Sequence, residues 1–234
     1  MIYEFQSRVR YSEIGEDRRL TLDSILNYFQ DCTTFHSEVV GLGMERLEEK
    51  RRIWMLSSWQ ICVGRYPEMG EELRIQTWPY EFKGFYGSRN FALLSSEGEK
   101  LAWANSLWVY ADRDTGKPVR VDQEEAAAYV LEPKMDMDYA PRKIAVPAEG
   151  RSMESFEVKK HHLDTNHHVN NGQYIRMAGE YLPENFYIKQ MRAEYKSQAR
   201  LGDVICPAVY EQEGRWVITL SDQEGKPYCI AEFS

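Results

Sequence analysis

Residues 21–43 read "TLDSILNYFQDCTTFHSEVVGLG". Leu22, Ile25, Leu26, Phe29, Cys32, Thr33 and His36 recur at i, i+3, i+4, i+7 spacing, which predicts one amphipathic helix with those residues on its buried face. Thr21 stands where an N-cap belongs, and Gly41 and Gly43 supply the stop. His36 lies within the apolar stripe, so it reads as a core histidine with satisfied hydrogen bonds rather than as a pocket group.

Strands follow this helix. "IWMLSSWQICV" (53–63) is β-branched and aromatic, and "ELRIQTWPYEF" (72–82) alternates in part. "GSRNFALL" (87–94) and "KLAWANSLWVY" (100–110) flank a Ser-Ser-Glu-Gly turn. In the last of these, Leu101, Trp103, Leu107 and Val109 share one face, while Ala102, Ala104, Ser106 and Trp108 share the other. A face that begins with small residues suits a sheet on which a helix lies closely. Residues 112–150 hold Pro118, Pro133, Pro141 and Pro147, many charges and one helical patch, "QEEAAAYVL", which together read as a connector over the surface.

The second half repeats this order in a shorter form. A strand near "SMESFEVKK" precedes a helix that carries Tyr174, Met177, Ala178, Tyr181 and Leu182 on one face and stops at Pro183. Four strand-like runs follow, "YIKQMRAEYKS", "DVICPAVYE", "RWVITLS" and "PYCIAEF". The final hairpin, "LSDQEGKP", echoes "LSSEGEKL" of the first half, as expected of a fused pseudo-dimer of two helix-plus-antiparallel-sheet units.

The composition narrows the function. The 234 residues carry a net charge of −8, and nucleic-acid binders usually show a basic excess. A local basic patch could still meet an acidic partner. Aromatics at 13% suit a fold with large flat side chains inside, or a pocket for an apolar ligand. "MIYEFQSRVRYSEIG" is charged throughout with no apolar signal core, and no run approaches the length of a membrane span. Cys32, Cys62, Cys206 and Cys229 form no C-x-x-C pair. Free thiols and a cytoplasmic location, with no membrane and no nucleic-acid partner, are therefore expected.

The chemistry concentrates at 161–182, "HHLDTNHHVNNGQYIRMAGEYL". Four of the five histidines lie in its first eight residues. The apolar period that starts near Val169 predicts a helix from about Asn166 or His167. Asp164, Asn166 and His168 would then sit at a helix N-terminus, where free N–H groups favour an anion or a developing oxyanion. His168 can act as a general base, Asp164 can orient an imidazole, activate water or attack, and Asn166 can donate a hydrogen bond. Such a set suits acyl transfer to water. Asn166 also reads as a simple cap, and His161 and His162 as solvated strand-end residues. Adjacent His-His pairs do not readily place both rings on one ion, and no H-E-x-x-H or C-x-x-C companion is present, so no metal is expected.

"LDTNHHVNNGQYI" resembles the catalytic segment of the acyl-[acyl carrier protein] thioesterases, L-D-x-N-x-H-V-N-N-x-x-Y. Leu163, Asp164, Asn166, His168, Val169, Asn170, Asn171 and Tyr174 carry the match. "SILNYFQDCTTFHSEVVGLGMERL", "IWMLSSWQICVGRYPEMGEELRIQTWP" and "GEKLAWANSLWVYADRDTGKPVRV" resemble further stretches of that family, so the likeness spans most of the chain. It implies an α+β tandem double hot-dog, each half a long helix wrapped by an antiparallel sheet. Residues 1–130 would form the N-terminal hot-dog with the acyl-chain tunnel, 131–150 a linker, and 151–234 the C-terminal hot-dog with the chemistry. It also implies hydrolysis of fatty acyl thioesters on acyl carrier protein by Asp164, Asn166 and His168, with no cofactor.

One departure stands out. The family often continues E-Y-R-R-E-C-G, and here the run is "EYKSQARLG". Gln198 replaces the Glu, where it could still position a water, and Ala199 replaces the Cys. Two other classes therefore stay open: another hot-dog enzyme, either an acyl-CoA thioesterase or a hydroxyacyl dehydratase, and a non-catalytic acyl-chain-binding protein. A carrier protein would dock on basic residues, for which Lys159, Lys160, Arg176, Lys189, Arg192, Lys196 and Arg200 are candidates. A homodimer is compatible with the fused pair.

Overall fold

The computed structural model describes all residues, 1–234. It divides into two compact units, one formed by Met1–Ser57 and Ile61–Tyr139, the other by Ser58–Gln60 and Ala140–Ser234.

The first unit holds strands β1 (Tyr3–Arg8), β2 (Arg52–Val63), β3 (Glu72–Lys83), β4 (Tyr86–Ser95) and β5 (Lys100–Asp112), with helices α1 (Leu22–Val39), α2 (Met44–Glu49) and α3 (Gln123–Ala128). Its strands run in the order β1-β3-β4-β5-β2. Thr21 caps α1 by accepting the Ser24 N–H at 3.3 Å. Gly41, at φ +77°, closes the other end, with Leu42 N–H donated to Ser37 O and Gly41 N–H to Glu38 O. All seven residues of the predicted stripe are buried, and Phe29 meets Phe91 of β4 with ring centroids 5.2 Å apart. Leu93, Phe91 and Arg89 stand opposite Ala102, Ala104 and Ser106 in the β4–β5 register. The small-residue face of β5 is therefore the helix side, which lets α1 approach closely.

Strand β1 pairs with β3 from Tyr3↔Thr77 to Arg8↔Glu72. Its charged residues conceal a two-residue alternation in which Phe5 packs edge-on against Phe35 and Tyr3 stacks on His36. The 112–150 connector does not stay on the surface. Glu125 is fully buried and accepts the Trp54 indole N–H at 2.8 Å, while Tyr129 is buried and hydrogen bonded to Ser37. Asn90 then accepts from the Met135 amide and the Tyr139 hydroxyl. Polar groups inside unit 1 thus draw down a segment whose composition alone reads as solvated.

The second unit holds β6 (Arg151–Ser152), β7 (Phe156–Glu157), β8 (Gln190–Tyr195), β9 (Val204–Gln212), β10 (Arg215–Ser221) and β11 (Pro227–Phe233), with α4 (Asn171–Gly179). The order is β8-β11-β10-β9-β6, and β7 also pairs with β9. At 9 residues α4 is half as long as the 18-residue α1. It buries Tyr174, Met177 and Ala178 as expected, but Tyr181 and Leu182 fall in the turn that leads to Pro183 and are only half-buried.

Unit 1 contains a buried cation. Arg89 is 6% exposed and has no carboxylate partner. Its guanidinium bonds His36 Nδ1 at 3.0 Å and Thr77 Oγ1 at 3.3 Å and lies over the Tyr129 ring. His36 is in the last turn of α1, where the helix carbonyls favour positive charge. His36 is thus a core histidine, and burial, together with Arg89, pushes its pKa down to about 4. The folded protein binds fewer protons here than the unfolded chain between pH 6.5 and about 4, so stability falls as pH drops through that window. Melting curves should show this fall, and His36→Gln should make it shallower.

Candidate active site

Residues 163–170 form a tight loop rather than the start of a helix. Leu163 and Val169 pair as an isolated bridge, and Asp164 N–H is donated to His168 O at 2.8 Å. Asp164 Oδ1 accepts the N–H groups of Asn166 (2.8 Å) and His168 (3.3 Å). His167 takes a left-handed conformation at φ +61°. Each feature opposes a helix: the Asp side chain competes for the backbone amides, and a positive φ breaks the α-helical run. The helix expected from Asn166 or His167 therefore begins at Asn171, with Asn170 as its cap.

This corrects the expected oxyanion site. Asn170 Oδ1 accepts the Gly172 N–H at 2.8 Å, and its carbonyl accepts those of Gln173 and Tyr174. The first-turn donors of α4 are largely used locally, and Asp164, Asn166 and His168 precede that turn. Their setting is a stapled loop with Asp164 as the staple.

The loop is fixed against the segment that follows β8. Val169 N–H is donated to Ala199 O at 3.0 Å, and His168 pairs with Arg200 as an isolated bridge. Gln198 therefore belongs to the same neighbourhood as Asp164 and His168, with an exposed side chain. Ala199 is fully buried, so its side-chain position faces the core. Asn166 is exposed, and its side-chain amide makes no hydrogen bond within the protein. His168 is half-buried, and its Nδ1 is buried without a hydrogen-bond partner. Burial first, then the Arg200 guanidinium, hold its pKa below the usual histidine value, against an opposing pull from Asp164. His168 is thus neutral at pH 7, and Nε2 is the nitrogen left to meet a reactant.

The other histidines have local places. His162 Nδ1 accepts the Lys159 N–H at 3.0 Å and stacks edge-on with His161, while His167 is exposed. No group of three His, Cys, Asp or Glu side chains is arranged to hold a metal ion. A surface cavity of about 340 Å³ in unit 1 is lined by Gln6, Arg8, Glu72 and Arg74 among others, and contains no residue of the loop.

Unit 1 contains the same loop without the chemistry. Ile14 pairs with Leu20 as Leu163 does with Val169, and Arg19 with Glu68 as His168 does with Arg200. Arg18 sits at φ +63°, matching His167. Gly15, Asp17 and Arg19 occupy the places of Asp164, Asn166 and His168. The staple comes from Asp17, which accepts the Arg19 N–H at 3.0 Å. A carboxylate and an imidazole together occur only in unit 2. The Tyr174 phenol oxygen, which accepts the Ala199 N–H at 2.9 Å, belongs to this neighbourhood too, although nothing in the spacing of residues 25 apart signals it.

Sequence models of the acyl-ACP thioesterase N-terminal and C-terminal domains match residues 1–129 and 146–231. The chloroplastic FATB1 acyl-[acyl-carrier-protein] hydrolase of Cuphea viscosissima is 29% identical over 215 residues, or 84% of this chain and 51% of that protein. Chloroplastic oleoyl-acyl carrier protein thioesterase 1 of Arabidopsis thaliana is 26% identical over 227 residues, or 87% of this chain and 62% of that one. The chain thus spans about half the length of the first relative and under two thirds of the second. The crystal structure of an acyl-ACP thioesterase from Bacteroides thetaiotaomicron superposes with a TM-score of 0.90 at 22% identity, covering 99% of this chain and 96% of that one. The 12:0-ACP thioesterase from Umbellularia californica gives 0.86 at 21% identity, over 100% and 96%. These likenesses establish the tandem hot-dog fold. Matched by both domain models over most of its length, the chain belongs to the acyl-ACP thioesterase family.

Proposed function

We propose that the chain hydrolyses fatty acyl thioesters carried on acyl carrier protein, releasing a free fatty acid and the carrier thiol and so ending fatty acid synthesis. The observation that carries this reading is the stapled loop of unit 2, which holds a carboxylate and a neutral imidazole beside an exposed amide. Membership of the family and the names of the relatives support the substrate class.

In this reading His168 Nε2 takes a proton from water as the water oxygen adds to the thioester carbonyl. Asp164 Oδ1 is occupied by the loop amides, and its second oxygen is available to steady the imidazolium that forms. Asn166 donates to the developing oxyanion. The C–S bond then breaks and the departing sulfur takes the proton back from His168. Gln198 orients the water, a role that needs a hydrogen-bonding amide rather than a charged base. Ala199 plays no chemical part.

The docking face is smaller than the sequence suggests. Arg192 is half-buried and tied to Glu232 and to the carbonyls of Pro141 and Lys143. Lys196 pairs with Glu194, and Lys159 with Glu157. Lys160, Arg176, Lys189 and Arg200 remain exposed without an ion pair. An acidic carrier protein would meet these four.

Asp164→Ala and His168→Ala should lower kcat on acyl-ACP by ~10² to 10⁴ with circular dichroism unchanged. Asn166→Ala should cost ~10² to 10³. Wild-type rates for the first two would remove the assignment. The profile of kcat/KM against pH should fall on the acid side with a midpoint below 6.5, because His168 must be neutral and its pKa is depressed. Joint reversal of Lys160, Arg176 and Lys189 to Glu should raise KM for acyl-ACP while leaving acyl-CoA unaffected, and an equal loss for both would count against docking there.

A further inference from the structure

Ala199 is held at both of its peptide groups. Its N–H is donated to the Tyr174 phenol oxygen of α4 at 2.9 Å, and its C=O accepts from Val169 of the loop at 3.0 Å. Ala199 is fully buried and Tyr174 nearly so. The residues on either side are Gln198 and Arg200, and Arg200 pairs with His168. One phenol therefore fixes a segment that touches the loop directly and carries Gln198.

Unit 1 has the same contact in a different form. Leu20 N–H is donated to Pro67 O at 2.8 Å, the counterpart of Val169 to Ala199. Pro67 has no N–H to place. The helix residue four after the cap is Ile25 in unit 1 and Tyr174 in unit 2, and both are buried. Where the segment has no buried donor, the helix offers no acceptor. Where it has one, the helix supplies a phenol. Burial pushes the Tyr174 pKa up, so the hydroxyl keeps its proton throughout the working range. The half with the Ala–Tyr pair is the half that carries Asp164 and His168.

We infer that Tyr174 is a positioning residue of the hydrolytic site, setting Gln198 and His168 by holding the Ala199 N–H. This rests on the reading of Asp164 and His168 as the hydrolytic pair. Tyr174→Phe fills nearly the same volume but strands a buried donor, which the segment can satisfy only by moving toward water. The His168 ring would then be less buried and less close to Arg200, while Asp164 and His167 travel with it on the loop.

The test is a cycle of variants. Tyr174→Phe should lower kcat on acyl-ACP at least tenfold with KM within twofold. Tyr174→Phe/Ala199→Pro, which removes the stranded N–H as Pro67 does in unit 1, should recover most of that loss. NMR titration of the His168 ring gives a readout without turnover: its midpoint should rise toward 6.5 in Tyr174→Phe and return in the double variant. Unchanged kcat together with an unmoved His168 titration in folded Tyr174→Phe overturns the inference, as does a folded double variant that recovers neither. A wild-type protein without hydrolytic activity would sink the reading of the site, and the titration would then judge the contact alone.

Discussion

A single backbone pairing anchors each half of this chain. The residue that enters each helix gives its N–H to the carbonyl of the segment following the next strand, Leu20 to Pro67 and Val169 to Ala199. This closes a loop between two elements distant in sequence and forces the residues just before the helix into a tight turn. The turn needs a left-handed residue, Arg18 or His167, and a side-chain acceptor to hold its amides. In unit 1 that acceptor is Asp17, and in unit 2 it is Asp164. The carboxylate proposed for chemistry is therefore also the staple of the turn, and its second oxygen is what remains for a reaction.

The halves share this frame and differ in what it carries. Glycine at 15 and arginine at 19 leave unit 1 with no carboxylate at the place of Asp164 and no imidazole at the place of His168. Its polar investment lies deeper, in Arg89, His36 and Thr77 beneath the last turn of α1. Neutral His36 tolerates the guanidinium, and a protonated ring would not. Unit 2 instead places its neutral histidine near the surface, beside Arg200. Both histidines are kept uncharged by burial and by an arginine, one for stability and one for the proposed proton transfer.

The sequence made much of this legible, for physical reasons that differ by element. The α1 stripe is plain because six apolar or small residues, with His36, follow one face of an 18-residue helix. The start of α4 is not, because a run of Asp, Asn and His resembles a capped helix until the staple from Asp164 is known. Strand β1 hides because its outward positions hold Glu4 and Arg8, although Tyr3 and Phe5 keep the two-residue period. The burial of Glu125 has no local signal, since its partner Trp54 is 71 residues away. The loop repeat is equally hidden: "IGEDRRL" and "LDTNHHV" share no residue in register, and only their bridges and left-handed turns make them alike.

The burial of Ala199 has a consequence for how the protein would meet oxidants. Its side chain stands in the core, so a thiol there would be shielded rather than poised, and this chain has none. Cys32 and Cys229 are buried, with pKa values pushed up by desolvation. Cys62 and Cys206 are more accessible but lie on β2 and β9, outside the loop. The proposed site of carboxylate, amide and imidazole offers peroxide no sulfur to attack. Turnover of this kind would persist under oxidative stress that silences hydrolases dependent on a thiolate.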